Sequence, residues 1–249
     1  MINVAIYLYF SFESGKPLTQ VEEETLRYIA CVENIHKSST IQMISPLLST
    51  VRVLMGEQST LEHRPYHNKF NWAEAQKIAQ AVILCDYKEA VRLGRLFQEY
   101  SYEGYDLVLF YLFIGIANVA LFKETGMRNQ GLRIAAHRCL KRINRVCPSA
   151  TDYGKGKLTL MQAEVSSLYP RRHVKTVEKY LMAISLADSS NNLFEKAVAH
   201  ERFGRYLGEH GEVLRSSSHL RLACSSYTEW NAFRKVELLQ EEIDRIGMA

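Results

Sequence analysis

Proline is scarce in this chain, with 5 among 249 residues, and glycine is modest at 13. That leaves little material for long disordered linkers. There is no C-x-x-C pair, and the five cysteines (Cys31, Cys85, Cys139, Cys147 and Cys224) are odd in number. A disulfide framework belongs to smaller secreted chains, so reduced thiols buried among apolar helical residues of a cytoplasmic protein are expected. No apolar run reaches the roughly 20 residues of a membrane span. The uncharged stretch from Leu107 to Phe122 contains Gly115 and Asn118 and predicts a buried helix instead. The apolar N-terminus has no basic leader and no evident cleavage site, so it does not read as a secretory signal. A G-x-x-x-x-G-K-[ST] phosphate loop and a kinase catalytic loop are both missing.

What is present has a helical period. Apolar residues make up 47% of the chain and charged residues 23%, ordinary proportions for a globular protein. Nothing alternates like strands joined by hairpin turns. The pattern predicts an all-α chain of about 12 helices, at 2–13, 18–36, 39–55, 71–85, 87–101, 104–123, 128–146, 151–168, 173–188, 192–209, 213–228 and 230–246. Ser14-Gly15-Lys16-Pro17 is a breaker, after which Thr19 can cap a helix with Glu22, Glu23 and Glu24 in its first turn. Gly56 closes the third helix, and 57–70, with Pro65, is the longest expected loop. Cys147-Pro148, Tyr169-Pro170 and the polar run 188–192 are further breaks. Gly208 and Gly211 frame a turn in the last repeat. The expected organisation is one solenoid over 1–249, divisible into an N-terminal segment 1–56, the loop 57–70 and a repeat stack 71–249.

The repeat signal lies in the last third. Tyr180-x-x-Ala183-x-x-x-Ala187 and Leu220-x-x-Ala223-x-x-x-Tyr227 align at an offset of 40 residues. Gly204, at the small position of a first helix, puts Ser216, Leu220 and Ala223 at the matching positions of a second. Small residues let adjacent backbones approach, and short helix pairs that cannot bury an apolar face alone must stack. His200 stands at the usual tryptophan position of a tetratricopeptide repeat and Thr228 at its terminal proline position, so a plain helical bundle remains the alternative.

Two blocks carry a resemblance. The first runs from Ser14-Gly15-Lys16-Pro17-Leu18 and Val21 through Tyr28-Ile29 to Gln42 and Leu54-Met55-Gly56. The second is Glu195-x-Ala197-x-Ala199-x-Glu201-x-x-Gly204-Arg205-Tyr206, continuing through Ala223 and Tyr227 to Trp230-Asn231-Ala232 and Lys235-Val236. Together they resemble the tetratricopeptide-like region of large multidomain signalling proteins, where a nucleotide-binding ATPase module precedes such helices and kinase, sensor or cyclase domains accompany them. A more remote similarity is to the helical domain of the maltose-regulon transcription activator. The family reads Trp-Gly-Ala where this chain has Asn231, a residue that tolerates a left-handed backbone. The resemblance implies the helical arm without its catalytic modules, either as a piece of a longer protein or as a stand-alone relative.

Charge is unevenly spread. The net charge is +4, yet Arg128 to Tyr180 holds 12 Lys and Arg against 3 Asp and Glu. Within it Arg138, Lys141, Arg142 and Arg145 fall at i, i+3, i+4 and i+7, a cationic stripe opposite the apolar Leu132, Ala136, Cys139, Ile143 and Val146. Arg128, Arg133, Lys155, Lys157, Arg171 and Arg172 lie nearby in sequence. The stripe is either a docking face for an acidic partner, a phosphate group or nucleic acid, or a solvated face balanced by acids of neighbouring repeats. An RNA module's aromatic interleaving is missing.

Other candidates are weaker. His63 and His67, beside Glu62, would need a third metal ligand, and Pro65 spoils their helical spacing. Gly154-Lys155-Gly156-Lys157 lacks the strand and spacing of a phosphate loop and reads as a flexible helix start. His137 and Cys139 point to different sides of a helix and do not pair as base and nucleophile. Tyr100, Tyr102, Tyr105 and Tyr111 crowd one region, either at an interface or half-buried between helices. Trp72 and Trp230 read as core residues. The expected function is a non-catalytic protein–protein interaction or regulatory scaffold with no cofactor and no metal, binding a protein or peptide of acidic character ahead of nucleic acid, with no membrane. A domain that senses a small effector is the alternative, and an enzyme is a weak third.

Overall fold

The computed structural model describes residues 2–33, 38–57, 72–97, 107–147 and 152–247. The described residues form twelve α-helices: α1 Ile2–Glu13, α2 Leu18–Glu33, α3 Ser38–Met55, α4 Trp72–Ile83, α5 Tyr87–Phe97, α6 Leu107–Glu124, α7 Gln130–Val146, α8 Asp152–Ser166, α9 His173–Ser189, α10 Leu193–Glu209, α11 Val213–Glu229 and α12 Phe233–Gly247. A 3-10 turn, Pro170–Arg172, leads into α9, and no strand occurs among these residues.

One local device ends most of the helices. A residue with positive φ follows the last turn, and the next N–H reaches back five residues to a carbonyl. The bond runs from Lys16 to Ser11, Glu57 to Arg52, Asp86 to Ala81, Met127 to Phe122, Asn192 to Ala187, Glu212 to Leu207 and Ala232 to Tyr227. Glycine supplies the conformation at Gly15 and Gly211, and asparagine at Asn191 and Asn231. Asn231 therefore keeps the turn that a glycine would make, with φ of 66°. Cys85 adopts it too, at 65°, a costly choice for a residue with neither glycine's freedom nor asparagine's polar side chain.

The start of α2 differs from expectation. Thr19 is not its cap. The carbonyl of Pro17 accepts from Gln20 and Val21, and the free Leu18 N–H donates to the Trp230 carbonyl at 2.9 Å. The Thr19 hydroxyl instead meets the Asn231 side chain at 3.0 Å. A tertiary acceptor has replaced a local one, and Glu22, Glu23 and Glu24 follow the first turn. Elsewhere local capping holds: Asn129 accepts from the Gly131 N–H and Asn192 from the Glu195 N–H.

Consecutive helices pack as pairs, α4 with α5, α6 with α7, α8 with α9 and α10 with α11. The first members also touch in series, α4 on α6, α6 on α8 and α8 on α10. Gly204 shows why a small residue is needed between partners: a Cβ there would lie 2.9 Å from the Leu220 side chain and 3.1 Å from the Ser216 carbonyl. The residues of both aligned segments, Tyr180, Ala183, Ala187, Leu220, Ala223 and Tyr227, are buried.

The two ends of the chain also meet. α3 packs on both α4 and α12. Trp230, fully buried, has ring centroids of Phe12 and Phe194 at 5.3 and 5.0 Å. One apolar cluster consequently runs from Ala5 to Ile243. α6, the uncharged run of the sequence, is buried on almost every side at its centre. Among the described residues no helix is long and apolar enough to cross a membrane.

Candidate functional site

The cationic stripe has the geometry its spacing implies. Leu132, Ala136, Cys139 and Ile143 anchor α7 to the core, and Val146 is half-buried. Arg138, Lys141, Arg142 and Arg145 are all exposed on the other side. None of the four forms an ion pair with an acid among the described residues, so neighbouring acids do not balance this face there. Ile134, 49% exposed, sits among them. His137 is exposed while Cys139 is buried, which keeps the two apart. Burial pushes the Cys139 thiol up to about 12.

The remaining cations of the basic block divide. Lys157 does not belong to the face; it is buried and pairs with Glu195 at 2.6 Å. Gly154 and Gly156 lie in the opening turns of α8, as expected of a helix start, but a Cβ there would collide with Cys147 and with the Glu195 carboxylate. Close approach, not mobility, calls for glycine there. Arg172, by contrast, joins α7. Its guanidinium lies over the Tyr169 ring, 4.8 Å from the centroid. The Tyr169 hydroxyl and His137 Nε2 share a hydrogen bond of 2.9 Å. Arg133, one turn before His137, completes this group. Burial lowers the His137 pKa, and the charges of Arg133 and Arg172 lower it further.

A second cluster is not singled out as a site by the sequence. Glu201 and Arg202 of α10 and Lys235 of α12 are buried, and Arg205 is largely so. The Glu201 carboxylate accepts from Lys235 Nζ at 2.6 Å and from the Tyr227 hydroxyl at 2.6 Å, and forms an ion pair with Arg205 at 2.7 Å. Arg202 grips Glu164 of α8 through two bonds of 2.8 and 3.0 Å, and Tyr180 donates to the same carboxylate at 2.8 Å. Arg205 holds Glu242 in the same two-pronged way, at 3.0 and 2.6 Å. Three cations thus meet three carboxylates. Burial alone would raise the Glu201 carboxyl, but Lys235 and Arg205 outweigh it and hold it at about 2. Cys85 touches the cluster, its Sγ 3.1 Å from Lys235 Nζ and 3.3 Å from Arg205. Burial raises that thiol, and the two cations more than offset it, leaving it below the ordinary value. The linear traces of this cluster are a Glu–Arg pair at i, i+4 and the presence of Glu201, Arg205, Tyr227 and Lys235 in the second block of the family resemblance, neither of which says that these side chains meet.

Beside the cluster opens a cleft of about 730 Å³, lined by Cys85, Tyr87, Lys123, Arg202, Arg205 and Glu242 among others. Lys123 pairs with Glu209 at 2.7 Å across its rim, so both signs of charge reach it. The thiols are not uniformly buried: Cys31 is exposed, Cys85 and Cys224 are half-buried, and only Cys139 and Cys147 are buried. Among the described residues no group of three His, Cys, Asp or Glu side chains is placed to hold a metal. Glu62, His63 and His67, with Tyr100, Tyr102, Tyr105 and the side chain of Trp72, lie outside the described residues. Tyr111 is half-buried. Compared with known proteins, the chain matches no family model, no curated protein and no solved structure.

Proposed function

We propose that this protein is a non-catalytic docking scaffold, a stack of tetratricopeptide-like helix pairs whose α7 face receives an acidic protein segment. The observation that carries the reading is the group Arg138, Lys141, Arg142 and Arg145, exposed together with no acidic partner among the described residues. An unpaired cationic stripe costs self-repulsion and is useful where a partner neutralises it. The serial contacts of α4, α6, α8 and α10 support the stacked architecture, although α3 on α12 adds a closure that a simple linear stack lacks. The resemblance to signalling proteins makes a cytoplasmic signalling assembly the proposed setting. The test is the affinity of a fluorescent glutamate-rich peptide for the native chain and for a variant with all four residues changed to Glu. Binding is expected to vanish in the variant; equal affinity would end the proposal.

The cleft favours a second reading, a sensor of a small effector. It has the size of a small-molecule site and both signs of charge at its wall. A thermal-shift screen of metabolites against the chain alone tests it, because a ligand that binds only the folded state raises the melting temperature. A screen in which no metabolite moves the transition counts against sensing.

A further inference from the structure

The basic face has an unequal end. Along most of α7 the cations stand singly, but at one end the Arg172 guanidinium and the His137 imidazole meet the Tyr169 phenol, and the charge of Arg133 acts on the same imidazole. Arg133 and His137 are one helical turn apart on α7 and so share a side of it. Tyr169 and Arg172 come from the segment between α8 and α9. The Arg172 guanidinium covers the Tyr169 ring at 4.8 Å, and the hydroxyl and His137 Nε2 share their bond of 2.9 Å. The rings of His137 and Tyr169 meet nearly edge to face, at 62°. No carboxylate among the described residues pairs with Arg133 or Arg172. We propose that this group binds the phosphate of a phosphorylated residue in the acidic segment that docks along α7.

The chemistry matches a phosphomonoester better than a carboxylate. The phosphate brings three acceptor oxygens and a charge of about −1.5 to −2, and three donor side chains converge here. Guanidiniums bind such groups through paired hydrogen bonds. A carboxylate would use fewer of the donors and leave positive charge uncompensated. Nucleic acid fits less well, because the face of Tyr169 is occupied by Arg172 and its hydroxyl by His137. No free aromatic platform is left there for a base. The length is also that of a short peptide. Arg133 to Arg145 spans about 18 Å of helix, which an extended chain covers in about five or six residues. The phosphorylated residue would sit at the Arg133 end, beside Ile134, with carboxylates next to Arg138, Lys141, Arg142 and Arg145.

This inference rests on the docking proposal, and its test separates the two. Two fluorescent acidic hexapeptides differing only in serine or phosphoserine at one terminal position are titrated against the full chain. The phosphoserine peptide is expected to bind about tenfold more tightly. The R133Q/R172Q variant should lose that advantage and keep its affinity for the unmodified peptide. In NMR spectra the His137 imidazole should titrate at higher pH when the phosphopeptide, or inorganic phosphate at high concentration, is bound. Equal affinity of the two peptides, with both still binding, overturns the phosphate site and leaves docking intact. Failure of both to bind removes both proposals. Tighter binding of a single-stranded oligonucleotide than of the phosphopeptide would also overturn the inference.

Discussion

Helices α7 and α10 are both 17 residues long and both rich in arginine. α7 has five Lys and Arg and no acid, and all but the half-buried Arg133 are exposed. α10 has three cations and three acids, and its central charges are buried and bonded. Removing a charge from water costs far more than its attraction to a partner returns unless every hydrogen bond is made. Glu201 is compensated by hydrogen bonds from Lys235 and Tyr227 and by an ion pair with Arg205. α7 meets the alternative condition by leaving its cations hydrated. Similar side chains are therefore placed in opposite ways: those of α10 join α8, α10 and α12, and those of α7 face solvent.

The contrast predicts an order of effects on stability. The largest belongs to Glu201→Leu, which strands the buried Lys235 ammonium and should cost about 3–5 kcal/mol in urea unfolding. Lys235→Met should cost less, because Glu201 keeps Arg205 and Tyr227. A larger loss from Lys235→Met than from Glu201→Leu would mean that the shared carboxylate is not the hub of the cluster. The pH dependence has two windows. The Glu201 carboxyl is depressed to about 2, so its contribution is full above the usual carboxylate range and fades as pH falls toward 2. His200 shares a bond of 2.9 Å with His219. Burial, then the charge of His219, lowers its pKa to about 4. Folding thus favours the neutral ring, and stability should decline as pH falls from its unfolded value near 6.5 toward 4. Measured by melting temperature, His200→Gln should flatten that decline, and an unchanged slope would remove the histidine from the account. The smallest effect is expected on α7. Changing Arg138, Lys141, Arg142 and Arg145 to Glu should leave the helical circular dichroism and the unfolding midpoint almost where they were, since exposed charges contribute little and these four have no acidic partner among the described residues. A large drop would show that the face is structural.

Much of the helical outline was legible because its signals are local. Gly15, Gly211 and the Asn191 and Asn231 turns announce helix ends through backbone preference alone. Leu132, Ala136, Cys139 and Ile143 declare the buried side of α7 through spacing, and the exposed stripe follows from it. Other features depend on residues far apart in the chain. Thr19 has the chemistry of a cap, but the Trp230 carbonyl satisfies the neighbouring N–H. Gly154 and Gly156 look like flexible residues until Cys147 and Glu195 are seen against them. Glu201 and Arg202 are indistinguishable from surface charges in one dimension, because nothing in a periodic pattern says that α8 and α12 will cover them. Charge alone marks Arg133 and Arg172 only as neighbours in a basic block; that both act on His137 is a matter of how α7 meets the segment before α9.

The amino-acid sequence by itself determined where this chain is helical, where most helices stop and which side of α7 faces water, because those follow from backbone conformation and the 3.6-residue period. Only the tertiary structure decided which charges are buried, how the first helices meet the last and which cations have no acidic partner among the described residues. Electrostatic cost depends on the solvent and the partners at a point in space, and packing sets both.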